Sequence, residues 1–454
     1  MNKLKLSTVA QWCGGRLQGN DTEIDNVSID SRAVNTTSLF VAIKGERFDA
    51  HDFAKQVEES GAAAMVCHRE VDVSIPVIYV EDTKKAFIDI ARNYRQSIKN
   101  LTVIGLTGSV GKTTTKEMTY LVASKKFNAI KTQGNLNNDI GLPRTLFTLD
   151  DSYNGAVIEM GMSAFGEISL LSKTCLPDIG IITNIGVSHI EHLGSRDGIL
   201  KAKLEILDGM KKGSTLILNY DNDKLQTVKT ADYNIVSFGI DNKEANVIAQ
   251  NITEKDGKTS FDVLSDGKTQ SIIIPTIGIH NVYDALAAYC VGLEIGLETS
   301  VIAEALGEYE PSGMRQRINN VNGVTVIEDC YNASPDSQRA AINALMSIEG
   351  DRKIAVLGDM LELGDYSATA HTEIGEYAAA KKVDLLYTYG EESKNIAAAA
   401  ESNGVKVFAF TDKEELFKAL RREIKPSDVV LFKASRGMKL EEVINKLYEE
   451  WKDK

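Results

Sequence analysis

The run Val103-Ile104-Gly105-Leu106-Thr107-Gly108-Ser109-Val110-Gly111-Lys112-Thr113-Thr114 holds the residues whose types and spacing speak most directly of chemistry. Two glycines let a backbone turn tightly and aim its N–H groups at an anion. A lysine follows to meet β- and γ-phosphates, and a hydroxyl beside it can reach Mg²⁺. Gly108, Ser109, Val110, Gly111, Lys112, Thr113 and Thr114 are therefore expected to cradle a nucleoside triphosphate. The longer form of this motif has a glycine five residues before Gly111. Leu106 stands there, so the shorter form remains. The competing reading is an ordinary glycine turn between strand and helix, and fold alone would not tell a kinase from a ligase.

Four further residues are candidates, each with a plainer alternative. Glu159 closes an apolar run and could hold Mg²⁺, or be a strand-end acid facing solvent. His189 could ligate a metal or touch a phosphate, or be a polar loop residue. Lys203 reads from its surroundings as an exposed helix lysine. Asn281 reads as a helix cap before a base contact. Two polar clusters, Asp30-Ser31-Arg32 and residues 44–53, sit in loops, where ligand contacts concentrate and where solvated turn chemistry is equally at home.

These residues need strands to aim them. An apolar run at 101–106 leads into the glycine turn, and residues 113–125 have helical character. Runs at 156–161 and 179–185 read as buried strands, which puts Glu159 and His189 at carboxyl ends of strands, where open α/β sheets bind ligands. Short alternating runs between 246 and 278, broken at Lys255-Asp256-Gly257 and Ser265-Asp266-Gly267, predict hairpins. Before position 98, strands near 27–30, 38–43, 63–67 and 77–80 with helices at 51–60 and 83–97 make a small α/β unit. After position 314, five strands alternate with five helices, as a Rossmann-like sheet requires. No G-x-G-x-x-G occurs there, so no dinucleotide is expected.

The fold class is therefore α/β in three domains: residues 1–98, a central 99–313 with a mostly parallel sheet and antiparallel hairpins, and 314–454. A hinge is expected near residues 311–316, at the Pro311-Ser312-Gly313 break. The 454 residues exceed one core, and 43% hydrophobic with 25% charged residues describes a well-folded chain. A formal charge of −13 argues against nucleic acid and against an anionic membrane surface. Five scattered cysteines imply reduced thiols, and neither an export signal nor an apolar run of spanning length is visible, so the cytoplasm is expected.

The phosphate turn, Glu159, His189, the Lys-Ala-Lys-Leu stretch around Lys203 and Gly278-Ile279-His280-Asn281 together resemble the Mur ligases of bacterial cell-wall synthesis. Two more runs, Asp329-Cys330-Tyr331-Asn332-Ala333-Ser334-Pro335 and Leu357-Gly358-Asp359-Met360-Leu361-Glu362-Leu363-Gly364, resemble the branch that adds D-alanyl-D-alanine to UDP-N-acetylmuramoyl-tripeptide. The resemblance implies ATP as the nucleotide. It implies Thr113, Glu159 and His189 at Mg²⁺, with Lys203 carbamylated by CO₂ so that a repelled cation becomes an oxygen ligand. It implies Lys112, Lys203 and His189 as catalytic, Asn281 at adenine, and Arg315 with Asn332 reaching the nucleotide from the last domain. Ser31, Arg32 and the loop from Gly45 would bind the uridine nucleotide, and Asn135, Asn137 and Asn138 the acceptor. A monomer is expected. Ala50, Asp284 and Ala434 depart from the pattern, which would have glycine, asparagine and glycine. Other ligases of the superfamily, such as the tripeptide-forming ligase or a folylpolyglutamate synthetase, and a phosphate-loop switch protein are the alternatives.

Overall fold

The computed structural model describes residues 1–311 and 313–452; the expected hinge at 311–316 includes Ser312, which lies outside the described residues. Three main sheets carry the chain, and a short ribbon pairs Leu4–Lys5 with Glu23–Ile24.

The central sheet has nine strands. Gly155–Glu159, Ile179–Ile182 and Thr215–Asn219 are buried at every residue, the pattern of strands covered by helices on both faces. Ala129–Lys131, Gly155–Glu159, Thr102–Thr107, Ile179–Ile182, Thr215–Asn219, Asn234–Gly239 and Val247–Lys255 lie side by side in parallel. Lys258–Ser265 and Lys268–Ile274 then complete the sheet antiparallel. Both hairpins turn where expected. Asp256 and Gly257 have φ of 52° and 73°, Asp266 and Gly267 48° and 72°, the paired positive values of a type I′ turn.

The amino-terminal sheet has five strands, Arg16–Gln18, Val77–Tyr79, Ala64–Cys67, Ser38–Val41 and Asn26–Ser28 in that order. The expected helix at 51–60 is a 3₁₀ turn, Ala50–Phe53, running into Ala54–Glu59, because the Asp49 carboxylate accepts from His51 N and starts the chain turning early. Helix Thr83–Ser97 is capped by Asp82, whose carboxylate accepts from the Lys84 and Lys85 backbone N–H groups. Its apolar side, with Phe87, Ile90 and Tyr94, joins one core with Val103, Leu142 and Phe147 of the central unit. The Tyr94 hydroxyl donates to Leu149 O (2.5 Å), and the Arg95 guanidinium donates to Cys175 O (2.9 Å), Leu101 O and Leu176 O (both 3.3 Å).

The carboxyl-terminal sheet runs Arg317–Val321, Val324–Glu328, Asp428–Lys433, Arg352–Gly358, Leu385–Tyr389 and Lys406–Phe410. The five expected strands are parallel. The sixth, Arg317–Val321, pairs antiparallel at the edge, and its half-exposed polar residues give no apolar alternation to read. Separate apolar clusters pack on its two faces. Among the described residues no helix is long and apolar enough to cross a membrane.

Replacing Arg95 with Ala strands three partly buried carbonyls where the first two units meet. The expected cost is roughly 2–4 kcal/mol in urea denaturation. A loss under about 0.5 kcal/mol, the level of an ordinary surface change, would show that this strap carries nothing.

Candidate active site

Register places the phosphate turn. Thr102–Thr107 is flanked by parallel strands whose partners are Glu159 to Leu106 and Ile182 to Thr107. The turn therefore leaves the sheet with Glu159 on one side and Thr183-Asn184 on the other. Space is so short that a Cβ at Gly108 would overlap the Thr183 hydroxyl, and one at Gly111 would overlap the Asp284 carboxylate. Gly111, at φ 82°, starts helix Lys112–Ser124. The Asn184 amide oxygen accepts from Ser109 N (3.0 Å) and Val110 N (2.9 Å), Thr183 Oγ1 donates to Val110 O (2.7 Å), and Gly186 N donates to Ser109 Oγ (2.9 Å). The Lys112 ammonium donates to Gly108 O (2.8 Å) across the turn, and burial pulls its pKa down.

The turn opens into a cleft of about 960 Å³ between the central and last units. Ser109, Val110, Gly111, Lys112, Thr113 and Thr114 line it; Gly108 stands just behind. At its floor Thr113 Oγ1 donates to Glu159 Oε2 (3.0 Å), and Asn137 Nδ2 donates to Oε1 (3.0 Å). The buried Lys116 ammonium lies 3.9 Å from the same carboxylate. A hydroxyl and a buried carboxylate within bonding reach of each other are the hard oxygen donors that suit Mg²⁺, so the residues fit that ion.

Asn281 is not a cap. Its amide nitrogen donates to Ile277 O (2.6 Å) and Gln316 Oε1 (2.7 Å), with Thr276 Oγ1 at 3.2 Å, while Gly278 precedes the helix Ile279–Glu294. Arg315 stacks its guanidinium 4.0 Å over the Tyr331 ring. Asn332 O accepts from the buried Lys433 ammonium (2.9 Å), which also pairs with Asp329 (2.7 Å). Asp284 is buried, accepts from Thr115 Oγ1 (2.7 Å), and burial pushes its carboxyl up to about 7.

His189 lines the cleft at φ 63°, its Nδ1 2.7 Å from Glu362 Oε2 of the last unit. Lys203 is buried rather than exposed and lies off the cleft lining. Burial, then the nearby Lys112 charge, hold its amine well below the ordinary value. A neutral buried amine is the form that can react with CO₂. Of the acceptor asparagines, Asn137 and Asn138 reach the cleft, the latter accepting from Gly141 N (2.8 Å) to start helix Gly141–Leu146; Asn135 is exposed outside it. Ser31, Arg32 and Gly45 also lie outside the cleft. Arg32 makes a bidentate pair with Asp30, and Gly45 N donates to Phe48 O. An ion pair between Lys84 and Asp139 (2.5 Å) joins the first unit to the asparagine loop.

Three family profiles match in succession: "Mur ligase family, catalytic domain" over residues 23–103, "Mur ligase middle domain" over 106–292 and "Mur ligase, glutamate ligase domain" over 315–436. The UDP-N-acetylmuramoyl-tripeptide–D-alanyl-D-alanine ligase of Bacillus subtilis is 40% identical over 99% of both chains. The chain belongs to the Mur ligase family. A crystal structure of MurF from Acinetobacter baumannii superposes with a TM-score of 0.92 at 32% identity, covering 99% of both chains. MurF from Thermotoga maritima, solved in complex with ADP, gives 0.86 at 29% identity over 94% of this chain and 98% of that one.

Sequence reasoning passed over several residues that this Mur ligase brings to the cleft. Asn184 carried a signal, since it lies two residues past the end of a buried strand beside the turn. Lys116, which stands behind the cleft beside Glu159, carried none, and neither did Gln316. Their places follow from a helix face and from a left-handed backbone at Gln316, φ 51°.

A carboxyl whose folded-state pKa is raised lends stability below its ordinary pKa and loses it as pH climbs through the raised value. Asp284→Asn keeps the acceptor for Thr115 and removes that loss. Its advantage in melting temperature over the parent should grow between about pH 5 and about pH 8. An advantage that stays flat across that range in thermal melts would rule out a buried protonated Asp284.

Proposed function

We propose that this Mur ligase joins D-alanyl-D-alanine to UDP-N-acetylmuramoyl-tripeptide with ATP as the energy source, giving UDP-N-acetylmuramoyl-pentapeptide, ADP and phosphate. The observation that carries the reading is the Lys112–Thr113 turn set against Glu159, in a chain that shares 40% identity over 99% of its length with a ligase of that name. Residues 1–98 would hold the UDP end through Ser31, Arg32 and Gly45, residues 99–313 the nucleotide, and residues 314–454 the incoming dipeptide. The ion pair from Lys84 to Asp139 supports a peptide path from the first unit along Asn138 and Asn137 to Glu159.

A carboxylate is a poor electrophile, so the terminal carboxylate of the tripeptide would attack the γ-phosphate and become an acyl phosphate. Lys112, whose pKa burial lowers, would meet the phosphate as a cation and steady the negative oxygens in transfer. Asn281 and Arg315 would hold the base and Asn332 the nucleotide from the opposite wall, while Asn137 keeps the Glu159 carboxylate oriented. The dipeptide amine then attacks the acyl carbon, and the amide forms as phosphate leaves. Mg²⁺ held by Thr113, Glu159 and His189 would neutralise phosphate charge, and a carbamate on Lys203 would supply a further oxygen ligand. Closure of the cleft around the substrates would exclude water from the acyl phosphate. Five free cysteines accord with a reducing cytoplasm, and we place the ligase there as a monomer.

Lys112→Ala should lower amide formation by on the order of 10²-fold or more, and ADP and amide should appear in equal amounts in the parent. Phosphate release that runs equally fast with and without D-alanyl-D-alanine would instead mark a nucleotide switch. A panel of acceptor amines in the same assay separates this ligase from others of its superfamily. Lys203→Ala should lose turnover that added bicarbonate does not restore; parent-like rates would remove the carbamate from the account.

A further inference from the structure

The run Leu357-Gly358-Asp359-Met360-Leu361-Glu362-Leu363-Gly364 stood out in the sequence, and the chemistry above leaves it without a task. Its first half is clamped. Asp359 Oδ1 accepts from Ser393 N (2.7 Å), His371 Nε2 from Met360 N (3.0 Å) and Ser435 Oγ from Leu361 N (3.0 Å). Directly after this clamp Glu362 adopts φ 65°, a left-handed backbone that residues with a side chain rarely take. His189, across the gap on the central unit, adopts φ 63°.

Two such residues from different units meet here, with His189 Nδ1 2.7 Å from Glu362 Oε2. Strained backbone of this kind persists where the surroundings over-determine it. The surroundings do so on three sides. A Cβ at Gly364 would come within 2.9 Å of the Glu191 side chain, a Cβ at Gly186 would overlap the Asp336 carboxylate, and Val187 packs against the apolar core of the last unit. The ring stands off the line of a hydrogen bond, and among the described residues Nδ1 has no other partner. Such contacts commonly tighten when substrate binds.

A carboxylate at one imidazole nitrogen makes that nitrogen the donor and leaves the lone pair on the other. Nε2 of His189 makes no hydrogen bond among the described residues and belongs to a side chain lining the cleft. We propose that Glu362 is a positioning residue: it holds His189 with its proton on Nδ1 and Nε2 free for a divalent cation, so that the cation site is complete only when the last unit is docked. The inference rests on the reading of His189 as a metal ligand. It makes the unit that brings the amine also the one that readies the phosphate end, so chemistry waits for docking.

The test uses the full chain with ADP present and Mn²⁺ as the probe, free Mn²⁺ being read from its paramagnetic resonance signal. Glu362→Gln and Glu362→Ala should each bind Mn²⁺ roughly 10–100-fold more weakly, the usual consequence of losing the group that orients a ligating histidine. Their melting temperatures without metal should match the parent, because the Glu362 side chain is 59% exposed. His189→Ala should bind weakly too, and adding Glu362→Ala to it should cost nothing more, since Glu362 acts through the ring. If His189→Ala weakens Mn²⁺ binding and the Glu362 variants do not, the positioning role is overturned. If His189→Ala itself binds Mn²⁺ as the parent does, the ligand reading of His189 falls and Glu362 with it.

Discussion

Between Thr107 and Lys112 the chain must leave a strand, turn and enter a helix in a space too narrow for a side chain. Thr183 closes one side at Gly108, and Asp284 closes the other at Gly111. Glycine at these two positions is therefore demanded by protein neighbours before any phosphate is considered. The same crowding holds the turn still, through Asn184 and the Thr183 hydroxyl, so that a helix N-terminus faces the cleft in one conformation. Parallel pairing does the rest, since strands ending together put Glu159 beside Thr113 without further design.

The cleft mixes cations with carboxylates such as Glu159, Asp329 and Asp336. A chain of formal charge −13 gathers Lys112, Arg315 and Lys433 around one cavity and sets Lys203 and Lys116 behind it. Burial makes these cations costly, which shows in the lowered pKa of Lys112 and the much lowered one of Lys203. A bound polyanion relieves that cost. The acidic exterior leaves the attraction local, so this is a site for a small phosphorylated ligand and not for a nucleic-acid strand.

The three sheets are not joined alike. The first shares a continuous apolar core with the central unit, sealed by Tyr94 and Arg95, whereas the last keeps its own two clusters and meets the centre through single contacts such as Val187, Asp336 and Glu362. A shared core resists relative movement and a few local contacts do not, which supports the proposed closure of the cleft around its substrates.

Much of this was readable from residues alone. Alternating and continuous apolar runs located the parallel strands of the two outer sheets and Thr102–Thr107, Gly155–Glu159 and Ile179–Ile182 in the centre, though Ala129–Lys131, Thr215–Asn219 and Asn234–Gly239 went unread. The Asp-Gly pairs located both hairpins, because turn chemistry is a local property. The phosphate turn and Glu159 were legible for the same reason. Lys203 was not: a Lys-Ala-Lys-Leu stretch looks solvated, and only the packing of helix Arg196–Leu204 against its neighbours buries that amine. Nor could spacing foretell that Asn281 would bond Gln316, or that His189 would meet Glu362 some 170 residues onward, close enough for an ion pair. Sequence determined which groups exist and which local turns hold them; tertiary structure decided which groups share a cavity, because proximity between distant segments depends on strand order and on how the units dock.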